Sequence, residues 1–323
     1  MSSPDHPVIV SERTSAGLLK FRSVPPAARI ALVAPASPFD RAQFDAGLAE
    51  LQRLGFRVAY DDSIFERGPV TAGSPETRAR ALMRAFTEMD ADAVMAVRGG
   101  YGSVELLPHL DPDRIRDAGI PFIGYSDVTT LHSYLAGCVG LASVHGPMIE
   151  GRFGQGPTAY DAARFVQSLT DAPLGEITAA GLEVFRPGEV AGPLVGGTLT
   201  QLLASFETPY VFRAPDRHVL FLEDVGERPY RVHRMLTQWR LSGRMASAAA
   251  IVFGQFPRCE EPGGGITVHD VLREFAADFS GPVLFGFPSG HTTTPFISLP
   301  LGVRARVITA GTPRLVLEEA AAC

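Results

Sequence analysis

From Arg29 onward the chain alternates short apolar runs with amphipathic stretches of helical period. ARIALVAPAS predicts a strand, and DRAQFDAGLAELQRLG a helix with Phe44, Leu48, Leu51 and Leu54 on one face and a stop at Gly55. FRVAY predicts the next strand, and SPETRARALMRAFTEMD a helix with Ser74 as N-cap and Pro75 at its first position. ADAVMAVR predicts a third strand that ends in the loop GGYGS, and a short helix is expected around Val104 to Leu110. The apolar run PFIGY then stops at Ser126, where an amphipathic helix opens with Leu131, Tyr134, Leu135 and Cys138 at helical spacing before Gly140. Strands alternating with helices of this length predict an α/β unit: a parallel, flavodoxin- or Rossmann-like sheet covered on both faces. Its ligands collect at the carboxyl edge of the strands.

The texture changes further along. Residues 151–180 hold several glycines and prolines and one helical stretch, and read as a connector. Beyond Gly181 come shorter strand-like pieces: LEVFRPGEVAGPLVGG, HVLFLEDV, AAAIVFGQF, PVLFGF and FISLPLGVRARVI. Two helices intervene, around Tyr230 to Leu241 with Val232, Met235, Leu236 and Trp239 inward, and around Val268 to Phe279. The expected organisation is a flexible leader at 1–27, an N-terminal α/β domain at 28–150, the connector at 151–180, and a second, β-rich α+β domain at 181–323.

Composition narrows the function. With 323 residues, 46% of them hydrophobic, the chain has material for two cores. A formal charge of −6 and the lack of a Lys/Arg cluster argue against a nucleic-acid partner. The three cysteines, Cys138, Cys259 and Cys323, form neither a disulfide framework nor a CxxC metal site. No signal-peptide pattern and no apolar stretch of about 20 residues occurs, so a cytoplasmic protein with no membrane partner is expected.

Ser126 is the candidate nucleophile. A strand-to-helix turn offers its hydroxyl outward at the dipole-positive end of a helix, although Ser and Asp are also the preferred N-caps, and GYSDV keeps only the first glycine of the G-x-S-x-G elbow. A serine hydroxyl needs a base and a third group to orient that base. Glu223 ends an apolar strand and is a candidate for the third group. Among eight histidines, His291 lies in a Gly- and Pro-punctuated loop, and His145 is a second loop histidine. His132 and His233 fall within helices, where packing or surface roles are usual. No two histidines stand at i, i+4 on a helix with a cysteine to join them, so no metal is expected.

With these motifs in order, the chain resembles the LD-carboxypeptidases, serine peptidases of muropeptide recycling. The resemblance rests on IALVAPAS, RGGYGS, FIGYSDVTTLH, VHGPM, the pair Gly196-Gly197, FLEDVGERPYRVHRML and the closing Gly290-His291. It implies a catalytic triad of Ser126, Glu223 and His291, with Ser126 on the first domain and the other two on the second. It also implies cleavage of an L,D bond that releases D-Ala from a murein tetrapeptide without metal or organic cofactor, and a homodimer. Thr198 stands where the family often has Asn after the glycine pair. The N–H groups of Asp127 and Gly100 are the candidate oxyanion hole, while the Asp127 side chain reads as a helix cap. Arg98, Gly99, Tyr101, Thr198 and Arg228 are candidate substrate contacts; Arg98, Arg228 or Arg231 could clamp a C-terminal carboxylate. Two other readings stand beside this one. The first is a peptidyl-nucleotide amide hydrolase like the microcin C self-immunity peptidases of the same resemblance. The second is a non-catalytic nucleotide or phosphate binder built on Gly99-Gly-Tyr-Gly102, which lacks the P-loop pattern.

Overall fold

Continuous apolar runs demand burial on both faces, and four of the first five strands obtain it in one sheet, the second lying at its exposed edge. The computed structural model describes residues 12–323. Strands β1 (Arg29–Val33), β2 (Arg57–Ala59), β3 (Ala93–Ala96), β4 (Phe122–Gly124) and β5 (Ser143–His145) are parallel, in the spatial order β5-β4-β3-β1-β2. This is the flavodoxin-like order, and its switch point lies between β1 and β3. The helices Arg41–Arg53 and Pro75–Thr87 start as read, with Asp40 and Ser74 accepting from the amides of Gln43 and Thr77.

The remaining strands are β6 (Gly175–Ile177), β7 (Glu183–Arg186), β8 (Glu189–Thr198), β9 (His218–Glu223), β10 (Ala248–Phe253), β11 (Val283–Phe285), β12 (Leu299–Leu301), β13 (Arg304–Ile308) and β14 (Arg314–Leu317). All but β12 form an eight-stranded sheet, β6-β14-β13-β8-β9-β10-β11-β7. Its centre, β8 to β11, is parallel, and its flanks are antiparallel. Helix Pro229–Leu241 connects β9 to β10 and buries Val232, Met235, Leu236 and Trp239 against the sheet; helix Val268–Ala277 connects β10 to β11. Each crossover returns the chain in the same direction, so Thr198, Glu223 and the loop after β11 gather at one carboxyl edge.

Several boundaries differ from the sequence reading. FISLPLGVRARVI is two strands, not one: β12 pairs antiparallel with β5, placing Leu299 opposite His145, and β13 joins the second sheet. Gly302 makes the turn between them at φ +88°, a conformation that costs glycine little. A segment of 181–323 thus completes the first sheet, and β6, from the connector, joins the second. The part of the leader from residue 12 on is packed rather than loose: Phe21 is fully buried, its N–H donates to Ala321 and its carbonyl accepts from Cys323. Residues 1–11 of that leader lie outside the described residues. Helix Pro112–Ala118 was not anticipated, although Asp111 caps it, Pro112 opens it and Gly119 closes it in the left-handed region. Helix Leu199–Ala204 was likewise missed. Among the described residues no helix is long and apolar enough to cross a membrane.

Candidate active site

Ser126 follows β4 by one residue and opens a one-turn 3₁₀ helix, Ser126–Val128, that runs into helix Thr129–Tyr134. Its φ is +68°, a left-handed conformation that costs a residue with a Cβ about 1–2 kcal/mol. A plain N-cap needs no such strain, because capping residues take extended dihedrals. The strained turn lifts the side chain out of the strand direction, and Ser126 remains partly accessible between the fully buried Gly124 and Val128. The glycine loop after β3 packs on it. A Cβ on Gly99 would fall 2.9 Å from Ser126 Cβ and 3.2 Å from the Asp127 nitrogen, so only a glycine admits this approach. A Cβ on Gly100 would instead meet Ser37 Oγ at 2.5 Å.

Glu223 ends β9 with none of its surface exposed. Its Oε2 accepts from Nδ1 of His291 at 2.7 Å and from the His291 main-chain N–H at 2.8 Å, and its Oε1 accepts from the Thr198 hydroxyl. Burial opposes ionisation of this carboxyl, but the His291 charge, the His291 hydrogen bond and, more weakly, the His145 charge and Thr198 outweigh it and hold it down at about 2. Burial likewise disfavours the His291 cation, and Glu223 overcomes that and raises its pKa above the usual value. With Nδ1–H committed to the carboxylate, Nε2 is the nitrogen left for proton transfer. The His291 ring meets Tyr125, the residue before Ser126, edge-on with centroids 5.2 Å apart. Of the sequence's three triad candidates, Glu223 and His291 are thus hydrogen-bonded to each other, and His291 packs on Tyr125, the residue before the third, Ser126. Such a grouping is suited to nucleophilic attack with general base assistance.

The other sequence candidates have definite places. Thr198, read as a substrate contact, is 5% exposed and spends its hydroxyl on Glu223; its N–H donates to Thr129 Oγ1 at 3.2 Å. It is thus a support for the acid, linked to the turn that carries Ser126. The Asp127 carboxylate does not cap its own helix. Buried, it accepts from the Ser103 N–H at 2.9 Å and so caps the short helix Ser103–His109, while its carbonyl accepts from Ser103 Oγ. Burial raises its pKa, against the pull of those hydrogen bonds. Arg98 donates to the Pro38 carbonyl and pairs with Glu150 at 3.4 Å. Tyr101 is half exposed on the glycine loop, and Arg228, just before helix Pro229–Leu241, lies 3.6 Å from Glu261.

Two residues near the site were not read correctly from sequence. His145 is the last residue of β5, not a loop residue, and is fully buried among Tyr125, Phe221 and Phe296, its ring nitrogens without a hydrogen-bond partner among the described residues. Burial pushes its pKa down to about 3, so at neutral pH it carries no charge, and only in the acid range where Glu223 itself titrates does its cation add to the lowering that His291 supplies. Arg152, in the connector, was overlooked because its partners lie about 140 residues away; it donates to the carbonyls of Gly290 and Thr292. Among the described residues no cluster of three or more His, Cys, Asp or Glu is arranged to hold a metal.

Comparison with known proteins agrees with the architecture. Residues 30–146 match the family model of the LD-carboxypeptidase N-terminal domain, and residues 191–307 that of the C-terminal domain. A probable murein peptide carboxypeptidase of Bacillus subtilis is 30% identical over 87% of this chain and 89% of its own. The crystal structure of a muramoyltetrapeptide carboxypeptidase from Oxalobacter formigenes superposes with a TM-score of 0.78 at 30% identity, covering 90% of this chain and 99% of that one. The microcin C7 self-immunity protein MccF, solved in complex with aspartyl sulfamoyl adenosine, gives a TM-score of 0.86 over 93% and 99%. At 24% identity that likeness speaks for the fold alone.

Proposed function

The chain belongs to the LD-carboxypeptidase family of serine peptidases, and from that premise we propose that it releases the terminal D-Ala of murein tetrapeptides by cleaving an L,D-peptide bond. We further propose Ser126 as nucleophile, His291 as base and Glu223 as orienting acid, working as a cytoplasmic homodimer in the recycling of cell-wall peptides. The observation that carries the reading is the double hydrogen bond from His291 to the buried Glu223, beside the strained turn of Ser126.

In this mechanism His291 Nε2 takes the proton of Ser126 Oγ as the oxygen attacks the carbonyl before D-Ala. Glu223 stabilises the imidazolium that forms. The tetrahedral oxyanion is received by the N–H groups of Asp127, at the start of its helix, and Gly100. Collapse breaks the C–N bond, His291 returns its proton to the departing D-Ala nitrogen, and an ester on Ser126 remains. Water, deprotonated by His291, then attacks the ester and regenerates the serine. Arg98 and Arg228 are the candidates to hold the D-Ala carboxylate, with Gly99 and Tyr101 lining the same cleft.

The chain's single tryptophan, Trp239, is 1% exposed in the core, so it offers no aromatic surface to a nucleotide. This favours the muropeptide over the peptidyl-nucleotide that the likeness to MccF suggests. Mass-spectrometric product analysis with both substrates tests the choice. D-Ala release from L-Ala-γ-D-Glu-meso-diaminopimelate-D-Ala is expected. Hydrolysis of only a peptidyl-nucleotide amide would reverse the assignment, and ATP or NAD binding without any hydrolysis would remove the peptidase reading.

A further inference from the structure

His291 stands in a loop whose hydrogen bonds come from two directions. Gln255, which follows β10, accepts from the Thr293 N–H and hydroxyl and donates to Thr294 Oγ1, and Glu223 accepts from His291 itself. These tie the loop to the sheet that bears it. From the opposite side, Arg152 Nη2 donates to the carbonyl of Gly290 at 3.2 Å and to that of Thr292 at 2.8 Å, the residues on either side of His291. Its guanidinium lies 5.7 Å from the centroid of Phe296, which packs in turn on Tyr125. Arg152 belongs to the turn Ile149–Phe153, whose Glu150 N–H is bonded to Val97, at the end of β3. One side chain thus bridges the first sheet to both neighbours of the base.

We propose that Arg152 is the positioning residue of the catalytic base: it fixes the His291 loop against the nucleophile's domain, so that assembly of the site depends on this contact between the two domains. The inference rests on the triad proposed above. A planar guanidinium suits the task because a single nitrogen can satisfy two converging carbonyls without rotating away. Lysine offers three donors but on a flexible stem with no fixed plane, so it holds the two carbonyls less rigidly.

The charged and titratable groups around His291 are Glu223 and Asp224 from the end of β9, Tyr125 from the turn after β4, His145 from β5 and Arg152 itself. Of these, Arg152 opposes protonation of His291, whereas Glu223 and Asp224 favour it. Removing the guanidinium therefore has two consequences: the base loses its place, and it holds its proton to higher pH.

The test compares Arg152→Ala, Arg152→Lys and wild type by D-Ala release across pH and by ¹⁵N-histidine NMR of the full chain. For Arg152→Ala, kcat should fall about a hundredfold with KM within twofold, as for a misplaced catalytic group. The acidic limb of kcat/KM should move to higher pH, and Arg152→Lys should recover part of kcat. The NMR titration of the His291 ring reads the same upward shift without relying on turnover, so it stays informative if the tetrapeptide is not the substrate. A variant with unchanged kcat, an unmoved limb and an unmoved His291 titration would overturn the role of Arg152 while leaving the triad standing. Loss of activity with a proportionate loss of folded protein and no change in the titration would overturn it as well.

Discussion

Glu223 Oε2 accepts two hydrogen bonds from His291, one from ring Nδ1 at 2.7 Å and one from the main-chain N–H at 2.8 Å. One oxygen therefore fixes both the ring and the loop that carries it. The geometry leaves no room on the loop's inner side: a Cβ on Gly290 would fall 2.5 Å from the Glu223 carboxyl carbon. Oε1, held by Thr198, completes the anchoring of the acid.

Replacing Glu223 by Gln keeps the size of the side chain and removes its charge. Turnover should fall by about 10⁴-fold, the cost seen when a triad acid becomes an amide. The acidic limb of kcat/KM should move to lower pH, because the carboxylate raises the His291 pKa against the effect of burial. Steady-state kinetics between pH 5 and pH 8 checks both; a limb that stays in place would separate Glu223 from the base.

Thr198 reaches Glu223 because strand register sets the two opposite each other at the ends of β8 and β9. Thr198→Val keeps the shape but leaves Oε1 of a buried carboxylate without its donor, a loss of about 1–3 kcal/mol. Urea unfolding should record that loss, and kcat should drop with it. Thr198→Ser, which restores the hydroxyl, should recover most of both. Wild-type stability and turnover in Thr198→Val would mean that the hydroxyl does not matter.

Gly290 sits at φ +76° with Glu223 against its Cα. Gly290→Ala meets a backbone penalty of about 1–2 kcal/mol and the steric clash as well. We expect lower stability together with a larger fall in activity, since the displaced groups are Glu223 and His291. Full activity with unchanged unfolding would contradict the packing described here.

His145 and His132 are both buried, and burial depresses their pKa values to about 3 and about 4. Below the ordinary value of 6.5 the unfolded chain takes up protons that the folded chain does not, so stability falls with pH from 6.5 toward 4. Each histidine contributes at most about 1.4 kcal/mol per pH unit to that slope. His132 ring nitrogens are bonded to Ser143 Oγ and the Gly124 carbonyl, whereas those of His145 have no partner among the described residues, so His145→Leu is the cleaner variant. Its stability should decline less between pH 6.5 and pH 4.5 than that of wild type. Parallel declines would contradict a neutral, buried His145.

Much of this site was legible in the chain because its parts are local signals. The apolar run up to Tyr125, the helix after Ser126, and the strand that ends at Glu223 are periodicities readable within a dozen residues. The contacts that organise these parts were not legible, because they join distant segments. Asp127 next to a helix start reads as its cap, yet the folded chain brings Ser103 to it. Arg152 in a Gly-rich connector carries no local sign that Gly290 and Thr292 will meet it. His145 before Gly146-Pro147 reads as loop, since only β12, from about 155 residues later, reveals that it belongs to a strand. The split of FISLPLGVRARVI at Gly302 was hidden for the same reason: both halves have strand character, and the partner of each is settled by tertiary pairing.

The most direct measurement is rapid-quench intact-mass and peptide-mapping mass spectrometry of the enzyme during turnover of the tetrapeptide, with Ser126→Ala in parallel. An acyl adduct of the tripeptide on the peptide containing Ser126, absent from the folded Ser126→Ala protein together with D-Ala release, is the expected result. D-Ala release at an undiminished rate by Ser126→Ala, or an adduct mapped to another residue, would contradict the assignment of the nucleophile.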